Sequence, residues 1–403
     1  MIARWLAIPL WLRVLGGLAL GVLLGLVWPE AAPKVALVGE WFVRAIRMLV
    51  APIVLVTLAA GIAGMAEPAK LGRLGLRTIG LFAATTLAAV AIGMAVAVLL
   101  RPGAGAPLAG VAAKALGESR GLYDTAVGIV PLNIVEALGK GDMLALIFTA
   151  ILIGVGTVAA GEAGRPFARG LQSLSAVLLS VVRLVMEATP FGVFALIANA
   201  VASSGVEVFA RIGWLALAVV IGSAAQMVLV HAPLLAGVAR RSPFRFWKDS
   251  VEALAIAFST ASSSAVLPVA IRLAEARHRI ARHVAQTVLP LGASIGKDGP
   301  AMYVGLLSVF SLQALGHPVA PAEWGVILAT ATLAAFGTAP VPSASLFMFA
   351  AVLAAVGIGA GDTALIVGLV LPFDRLLDMT RTVPSASANL TVAACVDRLE
   401  HRE

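Results

Sequence analysis

Residues 78–100, TIGLFAATTLAAVAIGMAVAVLL, carry no charged side chain. Such a run crosses a bilayer as a helix, because about 20 apolar residues span the hydrocarbon core and a helix satisfies its own backbone there. Runs of similar character lie at about 14–29, 42–63, 140–160, 172–200 and 212–238, so six spans are expected in the first part of the chain. The fifth is long and is expected to bend at Pro190 and Gly192. Only 12% of the 403 residues are charged and 60% are hydrophobic, against about 25% charged in a soluble domain. The chain is expected to be an all-α membrane protein.

The net charge of +8 does not mark a nucleic-acid partner, because the basic residues are spread among the ends of the apolar runs. Arg4 and Arg13 precede the first run; Lys70, Arg73 and Arg77 join the second to the third; Arg165 and Arg169 join the fourth to the fifth. Arg240, Arg241, Arg245 and Lys248 follow the sixth, and the alternate loops are poorer in Lys and Arg. The positive-inside rule then places a multi-pass protein in the cytoplasmic (inner) membrane with both termini in the cytoplasm. The first 30 residues run into a spanning stretch without a small-residue cleavage site and are read as a span rather than a cleaved signal. The lone cysteine, Cys395, excludes a disulfide framework.

After residue 249 the pattern changes. Apolar stretches become short and are broken by Ser, Gly and Pro: AFSTASSSAVLPVAI, GASIGKDGPAMYVG, FGTAPVPSASLFMFAAVL and DRLLDMTRTVPSASANLTVAA. Irregular backbone at membrane depth survives only where protein or a water-filled cavity satisfies it, and interrupted segments point to a transporter's midplane site. Two re-entrant hairpins and two interrupted helices are expected. The second segment also places Lys297 and Asp298 side by side at a depth where a bare charge is costly. Asp374, Asp378, Arg381 and Ser385 stand at i, i+4, i+7 and i+11, on one helical face. That stripe is either a self-neutralising structural feature or a site where the arginine's planar fork meets a carboxylate and an aspartate meets an ammonium group.

ASSSAVLP, DGPAMY, GTAPVPSAS and DRLLDMTRT, in that order, resemble the signature segments of the dicarboxylate/amino-acid:cation symporter family, which includes the glutamate transporters. RMLVAPIVLVTLAAGIAGM, KLGRLG and TPFGVFALIA extend the resemblance over nearly the whole chain. It implies eight transmembrane helices plus two re-entrant helical hairpins, a homotrimer, and elevator movement of a transport domain against a scaffold. Residues 1–76 and 136–211 would form the scaffold; residues 77–135 (third helix and extracellular loop) and 212–403 would form the transport domain. It further implies that Arg381 holds the substrate's side-chain carboxylate and Asp378 its amino group, beside Thr382 and Ser385. Ser262, Ser263 and Ser264 would meet the substrate from the first hairpin, and Val341 and Pro342 from the tip of the second. Dicarboxylate carriers in the family generally lack the aspartate and neutral amino-acid carriers the arginine. This chain has both, so a small acidic amino acid, aspartate or glutamate, is the expected substrate, with a C4-dicarboxylate as the alternative.

The cation sites depart from the family. Its broken seventh helix usually reads Asn-Met-Asp-Gly-Thr, where this chain has Gly296, Lys297, Asp298, Gly299 and Pro300. Asn389 stands for a sodium-ligating aspartate, Ser385 for an asparagine, and Phe82 for a tyrosine; Thr85 and Thr86 keep their hydroxyls. An ammonium about 4 Å from a sodium ion would repel it by about 4 kcal/mol at an effective dielectric of 20. Lys297 is therefore expected to replace a bound sodium, with its charge compensated by Asp298, Asp378 or substrate, and Asp374 in support. Transport would then be proton-coupled or an exchange, with no cofactor and no required metal. The alternative is sodium coupling through a residual site at Asp298, Thr85 and Thr86. The five histidines (His231, His278, His283, His317 and His401) show no metal-ligand spacing and are expected near loop or helix ends. Met302 and Tyr303 read as packing residues. An anion channel is the alternative of another class; an intramembrane hydrolase lacks a nucleophile elbow and a histidine partner, and no enzyme activity is expected.

Overall fold

The computed structural model describes residues 10–64, 68–104, 130–140, 143–204, 207–317, 319–336 and 344–401, and these are helical or in short connections with no strand among them. The helices are α1 (Leu10–Val27), α2 (Ala32–Ala63), α3 (Pro68–Leu100), α4 (Ile134–Lys140), α5 (Met143–Ala159), α6 (Arg165–Glu187), α7 (Thr189–Ser204) and α8 (Glu207–Gln226). They continue with α9 (Pro243–Asp249), α10 (Val251–Thr260), α11 (Ser263–Ala276), α12 (Arg282–Ile295), α13 (Asp298–Ala314), α14 (Pro321–Phe336), α15 (Ala344–Ala355) and α16 (Ala360–Glu400). Leu74–Leu100 and Gly213–Val238 are each long and apolar enough to cross a membrane on their own.

Glycine stripes set the closest helix contacts. Gly17, Gly21 and Gly25 lie four apart on α1, and a Cβ at each would stand 2.3, 2.6 and 2.8 Å from the carbonyls of Pro190, Phe194 and Ala198 on α7. In a bilayer, where apolar burial gives helices little mutual attraction, such close backbone approach supplies the packing. Gly93 does the same for α3 against α13, where a Cβ would meet the Met302 carbonyl at 1.9 Å. The α13 helix is the centre of the molecule: it is buried almost throughout and packs on α3, α8, α14, α15 and α16.

Two expectations are corrected. The fifth run is not one bent span but two helices, α6 and α7, parted at Ala188. Pro190 lies in the first turn of α7, where a missing N–H leaves no intrahelical bond unmade. The last segment is not interrupted: α16 runs through Pro372 and Pro384 for 41 residues, since each proline removes only one N–H and enclosing helices accommodate the freed carbonyl. The sixth run continues past Gln226 through π-helical turns at Met227–His231 and Leu234–Val238, so it changes pitch partway along.

The break in the seventh helix occurs where expected. The α12 helix ends at Ile295, Gly296 (φ −77°, ψ 80°) and Lys297 (φ −114°, ψ 40°) leave the helical path, and α13 begins at Asp298. The first hairpin is α10 and α11 joined through Ala261 in the left-handed region (φ 51°) and extended Ser262. The second is α14 packed on α15; its tip, with Val341 and Pro342, lies outside the described residues.

Candidate functional site

The order of charges at the helix break follows the backbone. Lys297 sits just past the carbonyl end of α12, and its Nζ donates to Ala293 O at 2.6 Å. Asp298 opens α13 at its amide end. Each charge thus faces the half-helix dipole that favours it. Both are buried, Lys297 at 2% exposure and Asp298 at 0%. They do not bond each other.

Two departures from the family pattern form one steric unit. A Cβ at Gly296 would stand 2.2 Å from Asn389 Oδ1 and 2.7 Å from the Phe82 ring, and one at Gly292 would stand 2.7 Å from the same Asn389 oxygen. The Asn389 side chain of α16 therefore occupies the space that a side chain at position 296 would need. Asn389 Oδ1 accepts no hydrogen bond among the described residues.

Asp298 holds a cluster that ties α3, α8 and α13 together. Its Oδ1 accepts from Thr86 Oγ1 at 3.1 Å and from Thr85 Oγ1 at 3.0 Å; the single Thr85 proton also lies within reach of Phe82 O. Its Oδ2 accepts from Gln226 Nε2 at 2.9 Å and from His231 Nε2 at 3.0 Å. His231 Nδ1 lies 3.1 Å from Ser387 Oγ on α16, which accepts from Trp247 Nε1 on α9. His231 is fully buried in the first π-helical turn. The expectation that all histidines lie near loop or helix ends fails here. A histidine and a glutamine five residues apart in QMVLVHAPLLAG are polar groups within an apolar run, the same signal that singled out Lys297.

One residue connects this cluster to the carboxylate–arginine face. Gly299 N donates to Ser385 Oγ at 3.0 Å. On α16, Arg381 is fully buried: its Nη1 donates to Asp374 Oδ1 at 2.8 Å, and its Nη2 lies 3.0 Å from Asp378 Oδ1. The second pair is an ionic contact without hydrogen-bond alignment, and Nε and Nη2 have no hydrogen-bond partner among the described residues. The guanidinium lies over the Tyr303 ring, 4.1 Å from its centroid. Tyr303 is therefore more than packing: its ring face supports the cation. Thr382 Oγ1 donates back to Asp378 O at 2.7 Å.

The first hairpin packs on the same helix. Arg375 Nη2 donates to Thr260 O at 3.3 Å, so α16 holds the residue that precedes the left-handed turn. Ser262 precedes α11 and Ser263, which is buried, opens it; the side chain of Ser264 lies outside the described residues. Of the residues expected at the site, Arg381 contacts Asp374 and Asp378, Thr382 bonds back to Asp378, Ser385 bonds Gly299, and Thr85 and Thr86 meet Asp298, while Lys297 bonds Ala293 O and Asn389 fills the space beside Gly296. His231, Gln226, Ser387 and Trp247 join them without having been anticipated.

Comparison with known proteins identifies the family. The sodium:dicarboxylate symporter family model matches residues 10–399. The proton/sodium-glutamate symport protein of Bacillus caldotenax is 32% identical over 401 residues, covering 95% of this chain and 93% of that one. The proton/glutamate-aspartate symporter of Bacillus subtilis (strain 168) is 31% identical over 395 residues, covering 96% and 94%. The C4-dicarboxylate transport protein of Anaeromyxobacter sp. (strain K) is 31% identical over 404 residues, covering 98% and 90%. With nearly its whole length matched, the chain is a membrane transporter, not an enzyme, and belongs to the sodium:dicarboxylate symporter family.

Proposed function

We propose that the protein carries an acidic amino acid, aspartate or glutamate, across the cytoplasmic membrane, and that it does so without sodium. The observation that carries this reading is the buried Arg381 held between Asp374 and Asp378. A substrate carboxylate takes the Nε and Nη2 donors that have no hydrogen-bond partner. Asp378, displaced from the guanidinium, then receives the substrate ammonium. A dicarboxylate without an amino group would leave Asp378 bare in a buried site, which disfavours it. The names of the glutamate and glutamate-aspartate relatives support the same choice.

Lys297 supports the sodium-free part. With Arg381 it sets a second basic side chain against Asp374 and Asp378 without a metal ion. The remaining features belong to the same reading: eight crossings, α10–α11 and α14–α15 as re-entrant hairpins, both termini cytoplasmic, and a homotrimer. Residues 77–135 and 212–403 move as an elevator against residues 1–76 and 136–211, with protons as the coupling ion or exchange in place of coupling. Uptake of labelled aspartate into proteoliposomes, with sodium, pH and membrane potential varied separately, tests it. Saturable, sodium-independent uptake that persists as counterflow is expected, and a steep sodium requirement refutes the proposal.

A further inference from the structure

Four donors meet the two oxygens of Asp298: Thr85, Thr86, Gln226 and His231. A carboxylate offers about four lone-pair sites, and these donors engage both of its oxygens, the Thr85 proton being shared with Phe82 O. We propose that His231 and Gln226 fill, with nitrogen donors, the place beside Asp298, Thr85 and Thr86 that an alkali cation would otherwise take. Asp298 then acts as a fixed joint between α3, α8 and α13 rather than as a cation ligand. The inference rests on the sodium-free reading above and locates a second substitution for sodium, independent of Lys297.

Neither donor can be turned about to clear Asp298 Oδ2, although Gln226 Oε1 itself has no hydrogen-bond partner among the described residues. Gln226 Nε2 donates to Asp298 Oδ2 and also to Thr85 O at 3.1 Å; flipping the amide would set its oxygen against a carboxylate and a carbonyl at once. The His231 ring is oriented from the far side. Ser387 Oγ, which accepts from Trp247 Nε1, lies 3.1 Å from His231 Nδ1, and because the Asp298 carboxylate only accepts, His231 Nε2 is the N–H that faces it. A hard cation needs oxygen lone pairs around it. Here the Asp298 lone pairs are engaged, and two N–H groups converge on Oδ2. The Thr85 carbonyl is also occupied by Gln226. The residues do not fit a sodium ion.

Thermal unfolding of the purified full-length protein in sodium chloride, against choline chloride at equal ionic strength and without substrate, tests this. The wild type is expected to unfold at the same temperature in both salts. His231→Ala removes a donor and opens space at Oδ2. It is expected to gain a saturable, sodium-specific rise in unfolding temperature, which His231→Ala with Asp298→Asn loses. His231→Gln keeps a nitrogen donor and is expected to stay indifferent to sodium. Where His231→Ala does not fold, His231→Ser, which supplies an oxygen, carries the same expectation. A sodium-specific shift in the wild type that Asp298→Asn abolishes would overturn the inference, as would a folded His231→Ala or His231→Ser without one. Sodium-independent uptake alongside such a wild-type shift sinks this inference alone. Sodium-dependent uptake that Asp298→Asn leaves sodium-dependent sinks the transport reading alone.

Discussion

Gly299 and Arg381 touch backbone to backbone: a Cβ on Gly299 would stand 1.5 Å from the Arg381 carbonyl oxygen. The first turn of α13 and the arginine turn of α16 are thereby held in one register, so the Asp298 cluster and the arginine face cannot move independently. Ser385 secures the contact by accepting the Gly299 N–H.

Gly299→Ala is accordingly expected to do more than fill space. Overpacking a tight site typically costs about 1–3 kcal/mol, and here the neighbour is backbone, which cannot rotate aside. A loss at or above the top of that range, with aspartate binding lost in parallel, is the expected result from thermal unfolding and a binding isotherm. Unchanged binding in the folded variant would mean that the two clusters are not coupled.

Gly296 and Asn389 are expected to behave as a pair. Gly296→Ala alone should destabilise the protein, because the new Cβ meets Asn389 Oδ1 at 2.2 Å. Asn389→Ala should recover part of that loss. A double-mutant cycle measures the recovery, and contacting residues commonly couple by about 0.5–3 kcal/mol. Additive losses would contradict the steric account, although the Phe82 ring at 2.7 Å limits how complete the recovery can be.

Arg381→Ala leaves Asp374 and Asp378 buried against each other, and breaking a buried pair costs about 3–5 kcal/mol. Binding of acidic substrates should be abolished. Arg381→Lys retains the charge but not the planar fork, so the variant should fold better than Arg381→Ala while still losing most aspartate affinity. Competition binding across the three proteins checks both statements.

Lys297→Met removes the cation at the carbonyl end of α12 while keeping a comparable apolar stem. Aspartate binding in choline buffer is expected to weaken by about tenfold or more, equivalent to about 1.4 kcal/mol. Adding sodium should not restore it, since Ser385 and Asn389 still replace the family's ligands. Recovery in sodium would show that the methionine alone rebuilds a metal site.

His278, in the connection between α11 and α12, gives a pH signature away from the transport site. Burial and the neighbouring Arg241 push its pKa down to about 4 from 6.5. Its ring stacks on Phe246 at 4.0 Å and its Nε2 meets Ser250 Oγ at 2.8 Å. The unfolded chain binds the proton more readily, so this contribution to stability is full above pH 6.5 and is lost as pH falls towards 4. Unfolding temperature measured across that interval should decline, and His278→Gln should flatten the decline.

The membrane class, the helical runs, the break at Gly296–Lys297 and the Asp374–Asp378–Arg381 face were all legible in the chain itself. Each depends on local rules: apolar length, helical periodicity and the cost of irregular backbone in lipid. Local rules also misled where they were read too strongly, since prolines stopped the helix at Ala188 but did not interrupt α16. What required the fold was every contact between distant residues. His231 and Asp298 are 67 residues apart, and Thr85 and Asp298 are 213 apart; no spacing rule joins them. Only the packing of α3, α8 and α16 around α13 decides which buried polar groups find each other, because a buried polar group takes its partner from whichever helix lies alongside.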